Sequence, residues 1–247
     1  MRKIKNCIPN AITLLNILSG TLAITFAFEP ADIIAGLEGW KWSVIFIGAA
    51  AVFDFLDGFA ARLLRAQSSI GAELDSLCDV VSFGVAPSLL LLNVMRLDAS
   101  LQTDPYGPAY WWSFAALFIP MMGALRLARF NVRDAGDTTF RGLPIPANAI
   151  FWIGYVSALM SHQFQPRMTL NLVIIVLISL LMVSDMKMFS LKLHSFGLIE
   201  NLGLWLTLIG SILFVIFFGL SGLALAILLY IAISFLQSII HIRVSRD

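Results

Sequence analysis

Stretches of about twenty mostly apolar residues recur along the whole chain, and this is the length that an α-helix needs to cross a bilayer. Of the 247 residues, 59% are hydrophobic and 13% are charged, and the mean hydropathy is +0.89. A soluble domain is nearer about 45–50% apolar and about 25% charged. The composition therefore excludes an ordinary soluble domain and predicts an all-α, polytopic membrane protein.

We predict about eight transmembrane helices, which form a single helix-bundle domain over residues 1–247. Their expected bounds are 9–28, 40–65, 70–95, 109–131, 146–162, 169–186, 200–218 and 221–241. The fifth segment is short for a span, so it is expected to tilt or to lie in thinner bilayer. Between the last two segments, Gly219-Leu220-Ser221-Gly222 predicts a tight turn.

The basic residues divide unequally between the two sides of this predicted topology. Only Lys41, Arg96 and Arg167 fall on the outer side, which leaves thirteen of the sixteen on the inner side. Because cytoplasmic loops carry an excess of Lys and Arg, both termini are predicted to be cytoplasmic. Cys7 and Cys78 then lie at cytoplasmic ends, where thiols stay reduced, and no disulfide is expected.

Four aspartates lie near the cytoplasmic ends of the second and third predicted helices. The array is Asp54-x-x-Asp57-Gly58-x-x-Ala61-Arg62-(x)8-Gly71-x-x-x-Asp75-x-x-x-Asp79. Spacings of three and four place each pair on one helix face, so two such faces opposed across a short turn would form a cage of oxygens. Such a cage suits hard divalent ions such as Mg²⁺ or Mn²⁺. The alternative interpretation is that these are helix-end carboxylates paired with cations such as Arg62 and Arg65.

Carboxylates are costly in a membrane helix, roughly 2.5–3.5 kcal/mol each at the centre of a span and less near its ends. Four within so short a stretch therefore indicate a function. Small residues accompany them: Gly58 and Ala61 would clear a groove along one helix, and Gly71 lies one turn before Asp75. Arg62 offers a guanidinium fork that matches phosphate oxygens. Helix packing alone is the alternative explanation for the glycines.

This array resembles the signature of the CDP-alcohol phosphotransferases, integral membrane enzymes that make phospholipids, and every signature position is filled. The resemblance implies that an alcohol displaces CMP from a CDP-linked lipid, with two metal ions, Mg²⁺ or Mn²⁺, bridging the pyrophosphate. It implies that Asp54, Asp57, Asp75 and Asp79 form the metal site and that Asp79 is also the general base. The residues that it implies in CDP binding are Asn10, Thr13, Gly58, Arg62 and Ser68.

Softer motifs extend the resemblance over nearly the whole chain, to the membrane-embedded phosphatidylserine synthases. They are Pro9-Asn10-x-x-Thr13-x-x-Asn16, Ser82-Phe83-Gly84-x-Ala86-Pro87, Leu125-Arg126-Leu127-Ala128-Arg129-Phe130-Asn131, Gly142-Leu143-Pro144-x-Pro146 and Met182-Val183-Ser184-x-x-Lys187-x-x-Ser190-x-Lys192. This resemblance implies CDP-diacylglycerol and L-serine as substrates and an active site at the cytoplasmic face of the cell membrane. A homodimer in the lipid bilayer is implied by the family, and no nucleic acid partner is expected.

A cationic helix face lies near the predicted cytoplasmic surface, because Arg126, Arg129 and Arg133 recur at steps of three and four. We expect an anionic group to bind there, either the acceptor carboxylate or the lipid phosphate. The candidate residues for this contact are Arg126, Arg129, Arg133, Lys187, Ser190 and Lys192. The alternative is that these cations only follow the positive-inside rule and touch lipid headgroups.

Other functions fit parts of the pattern. A sister enzyme of the same family would use glycerol 3-phosphate, inositol phosphate or choline as its acceptor. A cation-coupled transporter would also place carboxylates in the membrane, but usually near the midplane, on broken helices within inverted repeats. Here the acids lie at one surface and no repeat is visible. A scaffold that only binds a nucleotide-lipid is the third alternative, and an assay would separate it.

Overall fold

The computed structural model describes residues 2–66, 68–97, 106–133, 141–188 and 202–244, and it is a bundle of apolar helices, as the sequence predicts. The helices are α1 Arg2–Ala27, α2 Gly39–Leu63, α3 Ser69–Asp79, α4 Ala86–Met95, α5 Pro108–Ser113, α6 Phe118–Arg133, α7 Ile145–Met160, α8 Met168–Val183, α9 Leu202–Phe218 and α10 Gly222–Val244. Strands β1 (Ile33–Ile34) and β2 (Leu37–Glu38) form a small antiparallel hairpin between α1 and α2.

Within these described ranges, five helical stretches are long and apolar enough to cross a membrane. They are Cys7–Ala27, Gly39–Leu63, Ser69–Met95, Tyr110–Val132 and Leu202–Ser238, and the last contains α9 and most of α10. Helices α7 and α8 are apolar but have only 16 residues each, or about 24 Å. The chain is therefore an integral membrane protein, and the prediction of eight spans with cytoplasmic termini stays a prediction.

The third span has an irregular middle that the sequence analysis did not anticipate. A π-helical segment, Val80–Val85, connects α3 to α4, and the amide of Ala86 donates to the carbonyl of Val81. Pro87 follows at once and has no amide hydrogen, so a regular α-helix would lose a bond there. The hydroxyl of Ser82 in this segment donates to the backbone carbonyl of Asn16 at 3.2 Å, which ties the segment to α1.

This third span is also the centre of the bundle. In its most apolar window 72% of the residues are buried, against at most 33% in the other long spans. Helix α7 packs beside it and contributes Trp152, whose indole donates to the side chain of Asn148 at 2.9 Å. Because α1, α6 and α7 surround this span, the residues that it carries are held on several sides.

The turn between α1 and α2 is the β1–β2 hairpin. Gly36 at its tip has a φ of +86°, which glycine adopts readily. Next to the hairpin, Lys41 forms a salt bridge with Glu38 at 2.8 Å, and this hydrogen-bonded contact is the main cause that holds the pKa of Glu38 below its ordinary value. The predicted turn between α9 and α10 is confirmed: residues Gly219–Ser221 form a single 3₁₀ turn.

Candidate metal and nucleotide-lipid site

Three of the four aspartates meet where α2 and α3 approach each other. The carboxylate oxygens of Asp54, Asp57 and Asp75 lie within 4.8 Å of one another. Asp54 and Asp57 face the cluster from the end of α2, and Asp75 faces it from α3 across the short connection at residues 64–68. Oxygen atoms so close together could hold a hard divalent cation.

The donor atoms fit such an ion because several of them are buried without a partner. One carboxylate oxygen each of Asp57, Asp75 and Asp79 is buried and accepts no hydrogen bond. In the part of the chain that the structure describes, no lysine or arginine forms a salt bridge with any of the four carboxylates. The ion pairs with Arg62 and Arg65 that the alternative interpretation requires are therefore not formed.

Asp79 lies deeper than the other three. Its side chain is only 9% exposed, and its carboxylate lies against that of Asp54. It is outside the compact cluster of Asp54, Asp57 and Asp75, and it is the last residue of α3 before the π-helical segment. This separation gives Asp79 a different position from the three clustered acids, next to them but one helical turn further into the bundle.

A cavity of about 300 Å³ opens directly beside the cluster, with Asp57 and Asp75 in its wall. Four of the five residues that the resemblance implied for CDP binding line it, namely Asn10, Thr13, Gly58 and Ser68. Its volume is at the lower end of the range of about 300–1,000 Å³ that is common for small-molecule sites. The structure thus brings four of the predicted nucleotide residues together with two of the predicted metal ligands.

Helices α1 and α3 hold the polar side chains of this cavity in place. The hydroxyl of Thr13 donates to the carbonyl of Pro9 at 3.0 Å and lies beside the carboxylate of Asp57. Ser68 is the N-cap of α3, and its hydroxyl accepts a hydrogen bond from the amide of Gly71 at 3.1 Å. An N-cap of this kind fixes where the helix begins, and so it also fixes the position of Asp75 two turns on.

The glycines keep this cavity open rather than allowing close helix packing. A Cβ at Gly58 would meet only the guanidinium of Arg62, at 3.7 Å, among the described residues. A Cβ at Gly71 would lie 3.0 Å from the hydroxyl of Ser68 and 3.2 Å from the side-chain oxygen of Asn10. A side chain at Gly71 would therefore crowd the polar wall of the cavity.

Arg62 does not line the cavity itself. Its side chain is exposed, and its guanidinium lies over Gly58 at the edge of the cavity. An arginine there can reach a phosphate group at the cavity mouth only by turning its flexible side chain.

The predicted cationic residues are only partly brought together. Arg126 and Arg129 line one cleft at the end of α6, where a guanidinium N–H of Arg129 donates to the carbonyl of Val183 at 2.8 Å. Lys187 is not in the cleft wall; it forms an isolated β-bridge with Arg141. The side chain of Arg133, and all of Ser190 and Lys192, lie outside the described residues.

Three further residues line this cleft that were not among the predicted site residues: Arg141, Ser184 and Asp185. They reach it because the backbone at Gly142 docks on the end of α8, where the amide of Gly142 donates to the carbonyl of Met186 at 2.9 Å. The available signal was the short motif that begins at Gly142, together with Ser184-Asp185 directly after an apolar helix.

Comparison with known proteins identifies the family of this chain. The sequence model of the CDP-alcohol phosphatidyltransferase family matches residues 6–236. The chain belongs to this family. The family is generally dependent on a divalent metal, and the cluster of Asp54, Asp57 and Asp75 is a set of residues that could hold one.

Several curated relatives carry the name CDP-diacylglycerol–serine O-phosphatidyltransferase. The protein from Methanocaldococcus jannaschii is 37% identical over 180 residues, which cover 73% of this chain and 72% of the relative. The protein from Bacillus subtilis is 35% identical over 204 residues, 81% of this chain and 99% of the relative. The protein from Mycobacterium leprae is 40% identical over 157 residues, 61% of this chain, but the match spans only 46% of that longer relative.

Proposed function

We propose that this protein transfers the phosphatidyl group of CDP-diacylglycerol to the hydroxyl of L-serine and releases CMP. The observation that carries the proposal is the cluster of Asp54, Asp57 and Asp75 in the wall of a cavity that also contains Asn10 and Ser68. The names of the relatives that match most of this chain support serine as the acceptor.

The three clustered carboxylates would hold divalent ions, and Mg²⁺ or Mn²⁺ is the expected choice because all the ligands are oxygens. Asp79 would complete this site through its contact with Asp54. When bound, such ions neutralise pyrophosphate oxygens and stabilise the negative charge that develops on the departing CMP.

The cavity residues would orient the nucleotide-lipid. Asn10 and Thr13 on α1, with Ser68 at the start of α3, offer amide and hydroxyl groups to the cytidine and ribose. Gly58 lets the ligand approach the backbone of α2, and Arg62 can reach a phosphate oxygen from the edge of the cavity. Holding the lipid and the acceptor beside each other would convert their reaction into an effectively unimolecular step.

Asp79 would act as the general base. A serine hydroxyl is a weak nucleophile at neutral pH, so a nearby carboxylate must take its proton as the new oxygen–phosphorus bond forms. The bond from phosphorus to the CMP oxygen breaks in the same displacement, and CMP leaves with the electron pair. The buried position of Asp79, beside the cluster but outside it, suits this role.

An acceptor panel tests the proposal. Purified protein in detergent or vesicles, supplied with CDP-diacylglycerol and Mg²⁺ or Mn²⁺, should release CMP when L-serine is added. Release of CMP with glycerol 3-phosphate or inositol phosphate, and not with L-serine, would contradict the serine assignment. Choline belongs in the same panel, as the acceptor without a negative charge.

A phosphate-bearing acceptor is the second candidate, because one cleft contains the three arginines Arg126, Arg129 and Arg141. Guanidinium groups bind phosphate as readily as carboxylate, so the arginines alone do not separate the two acceptors. The site would lie at the cytoplasmic face, where the predicted topology places the ends of α2 and α6, and a homodimer is expected for the family.

A further inference from the structure

The cleft at the end of α6 contains charges of both signs. Arg126 and Arg129 come from α6 and Arg141 from the segment before α7, while Asp185 lies directly after α8. Asp185 forms no salt bridge with a lysine or arginine of the described ranges. A phosphate dianion would be repelled by this carboxylate, and unpaired like charges are a common means of rejecting a wrong ligand.

The acidic side of the cleft is also the C-terminal end of a helix. The last carbonyls of α8 carry a partial negative charge, which favours a cation nearby. The hydroxyl of Ser184 donates to the carbonyl of Leu181 at 2.8 Å, so its oxygen can still accept a hydrogen bond. Arg129 is already at this helix end, because one of its N–H groups donates to the carbonyl of Val183. This bond holds the guanidinium at the cleft, and its other N–H groups can donate to a ligand.

The cleft lies at the same depth as Asp79. Two contacts fix α6 against the third span: the side-chain amide of Asn131 donates to the hydroxyl of Ser76 at 3.2 Å, and a Cβ at Gly84 would lie 3.4 Å from Cα of Pro120. Arg126 is five residues from Asn131, and Asp79 is three residues from Ser76. At about 1.5 Å per residue, the two therefore lie within one helical turn of the same level.

We propose that this cleft binds the charged head of a zwitterionic α-amino acid, with the arginines on its carboxylate and Asp185 on its ammonium group. The cleft is small, about 40 Å³, which suits the few heavy atoms of an amino-acid head. The inference rests on the proposed function and adds to it a pair of residues that would select serine over phosphate-bearing alcohols.

The substitution Asp185→Asn tests the ammonium contact while keeping the shape of the side chain. The KM for L-serine should rise roughly ten- to a hundredfold, the range expected for losing a hydrogen bond to a charged group. The affinity for CDP-diacylglycerol should stay the same. The matched control is Asp32→Asn, an exposed acid near the outer β1–β2 hairpin, at the other end of the bundle, which should leave both constants unchanged.

Two acceptor analogues locate the contacts more sharply. The analogue 3-hydroxypropionate keeps the hydroxyl and the carboxylate but lacks the ammonium group, whereas ethanolamine lacks the carboxylate. The parent enzyme should prefer serine to both analogues. The variant Asp185→Asn should no longer prefer serine to 3-hydroxypropionate, but it should still prefer serine to ethanolamine. The variant Arg129→Gln should instead lose the preference for serine over ethanolamine. Its control is Arg167→Gln, at the other end of α8.

The outcomes separate this proposal from the proposed function. If the parent enzyme is active on serine and Asp185→Asn leaves the serine KM unchanged, the cleft is not the amino-acid site, and the proposed function is unaffected. Tighter CDP-diacylglycerol binding by Asp185→Asn would assign the arginines to the lipid phosphate and also overturn it. A parent that uses glycerol 3-phosphate but not serine would overturn both. If Asp185→Asn does not fold, a parent that uses serine and 3-hydroxypropionate equally well would refute the ammonium contact.

Discussion

At the scale of single residues, the four aspartates have different surroundings, and their substitutions should have different effects. Asp57 is in the wall of the cavity and belongs to the compact cluster, whereas Asp79 lies behind it against Asp54. A residue that only holds an ion affects binding and turnover together, whereas a general base affects mainly turnover.

The substitution Asp79→Asn should lower the rate of CMP release by at least about a hundredfold, which is the usual scale for general acid–base catalysis. Binding of CDP-diacylglycerol should persist, because Asp54, Asp57 and Asp75 remain. The comparison is Asp57→Asn, which should lose affinity for the nucleotide-lipid as well. Steady-state kinetics and binding of labelled lipid measure the two effects. Normal turnover in Asp79→Asn would show that the base is another group.

Gly58 offers a second test at this scale, because a Cβ there would meet only the flexible side chain of Arg62 among the residues that the structure describes. The substitution Gly58→Ala should therefore leave folding intact but raise the KM for CDP-diacylglycerol roughly tenfold, the effect of one extra carbon in a fitted site. Gly48→Ala is the matched control: it lies on the same helix, and its Cβ would meet no described atom within 4 Å. Equal kinetics for the two variants would indicate that Gly58 serves helix packing and not ligand binding.

The residues that sequence analysis predicted best are those whose partners are set by helix geometry. Spacings of three and four along α2 and α3 were enough to anticipate that the acids would face one another. Arg141 and Asp185 could not be found in this way, because neither is near the aspartates in sequence and their meeting depends on how a non-helical segment docks. Such contacts follow from tertiary packing rather than from a local pattern.

At the scale of elements, the short segment at Gly142 links α7 to the end of α8. Its amide donates to the carbonyl of Met186, and the amide of Leu143 donates to the carbonyl of Leu181 at 3.1 Å. Gly142 has a φ of +70°, and a Cβ there would collide with the backbone of Met182 and lie 3.0 Å from the carbonyl oxygen of Ser184. The segment therefore requires glycine for two reasons.

The substitution Gly142→Ala should destabilise the protein by more than the about 1–2 kcal/mol that a left-handed backbone costs an ordinary residue, because the collision adds to it. It should also raise the KM for serine, since Arg141 would move. Gly36→Ala is the control, with a φ of +86° but no described atom within 4 Å of its Cβ. Thermal unfolding in detergent measures the first effect. Equal melting temperatures for the two variants would show that the segment can shift without cost.

The bounds of most helices followed from hydropathy, but irregular elements did not. The π-helical segment at residues 80–85 falls inside a run that is apolar throughout, and hydropathy does not distinguish a π-turn from an α-turn. The β1–β2 hairpin is too short to give a recognisable alternation. In both places the backbone conformation depends on a single residue, Pro87 or Gly36. A hydropathy average over a window of residues does not detect the effect of one residue.

At the scale of the whole molecule, ions that bind the folded cage should stabilise the entire fold. A ligand present at a hundred times its Kd adds about 2.7 kcal/mol to the free energy of unfolding. Mg²⁺ or Mn²⁺ should therefore raise the melting temperature of the parent protein, chelation should lower it and abolish CMP release, and Asp57→Asn should respond less. Full activity in thoroughly chelated protein would rule out a metal-dependent reaction.

The orientation of the bundle can be tested with a thiol that the chain already contains. Cys7 is exposed near the start of the first span, whereas Cys78 is buried beside the aspartates. If the N-terminus is cytoplasmic, a membrane-impermeant maleimide should label inside-out vesicles and not right-side-out ones. Cys7→Ser should remove the label and serves as the control. Labelling of right-side-out vesicles would reverse the predicted topology.

The close approach of α2 and α3 has a consequence for the steady-state abundance of the protein in a cell. Like charges about 5 Å apart repel by about 3 kcal/mol per pair at an effective dielectric constant near 20, and this helical hairpin brings three of them together. In a newly inserted chain, this repulsion would disfavour the packing of α2 against α3 until a cation binds. We therefore expect the steady-state abundance of the protein, and not only its catalytic rate, to fall when cells are starved of divalent metal.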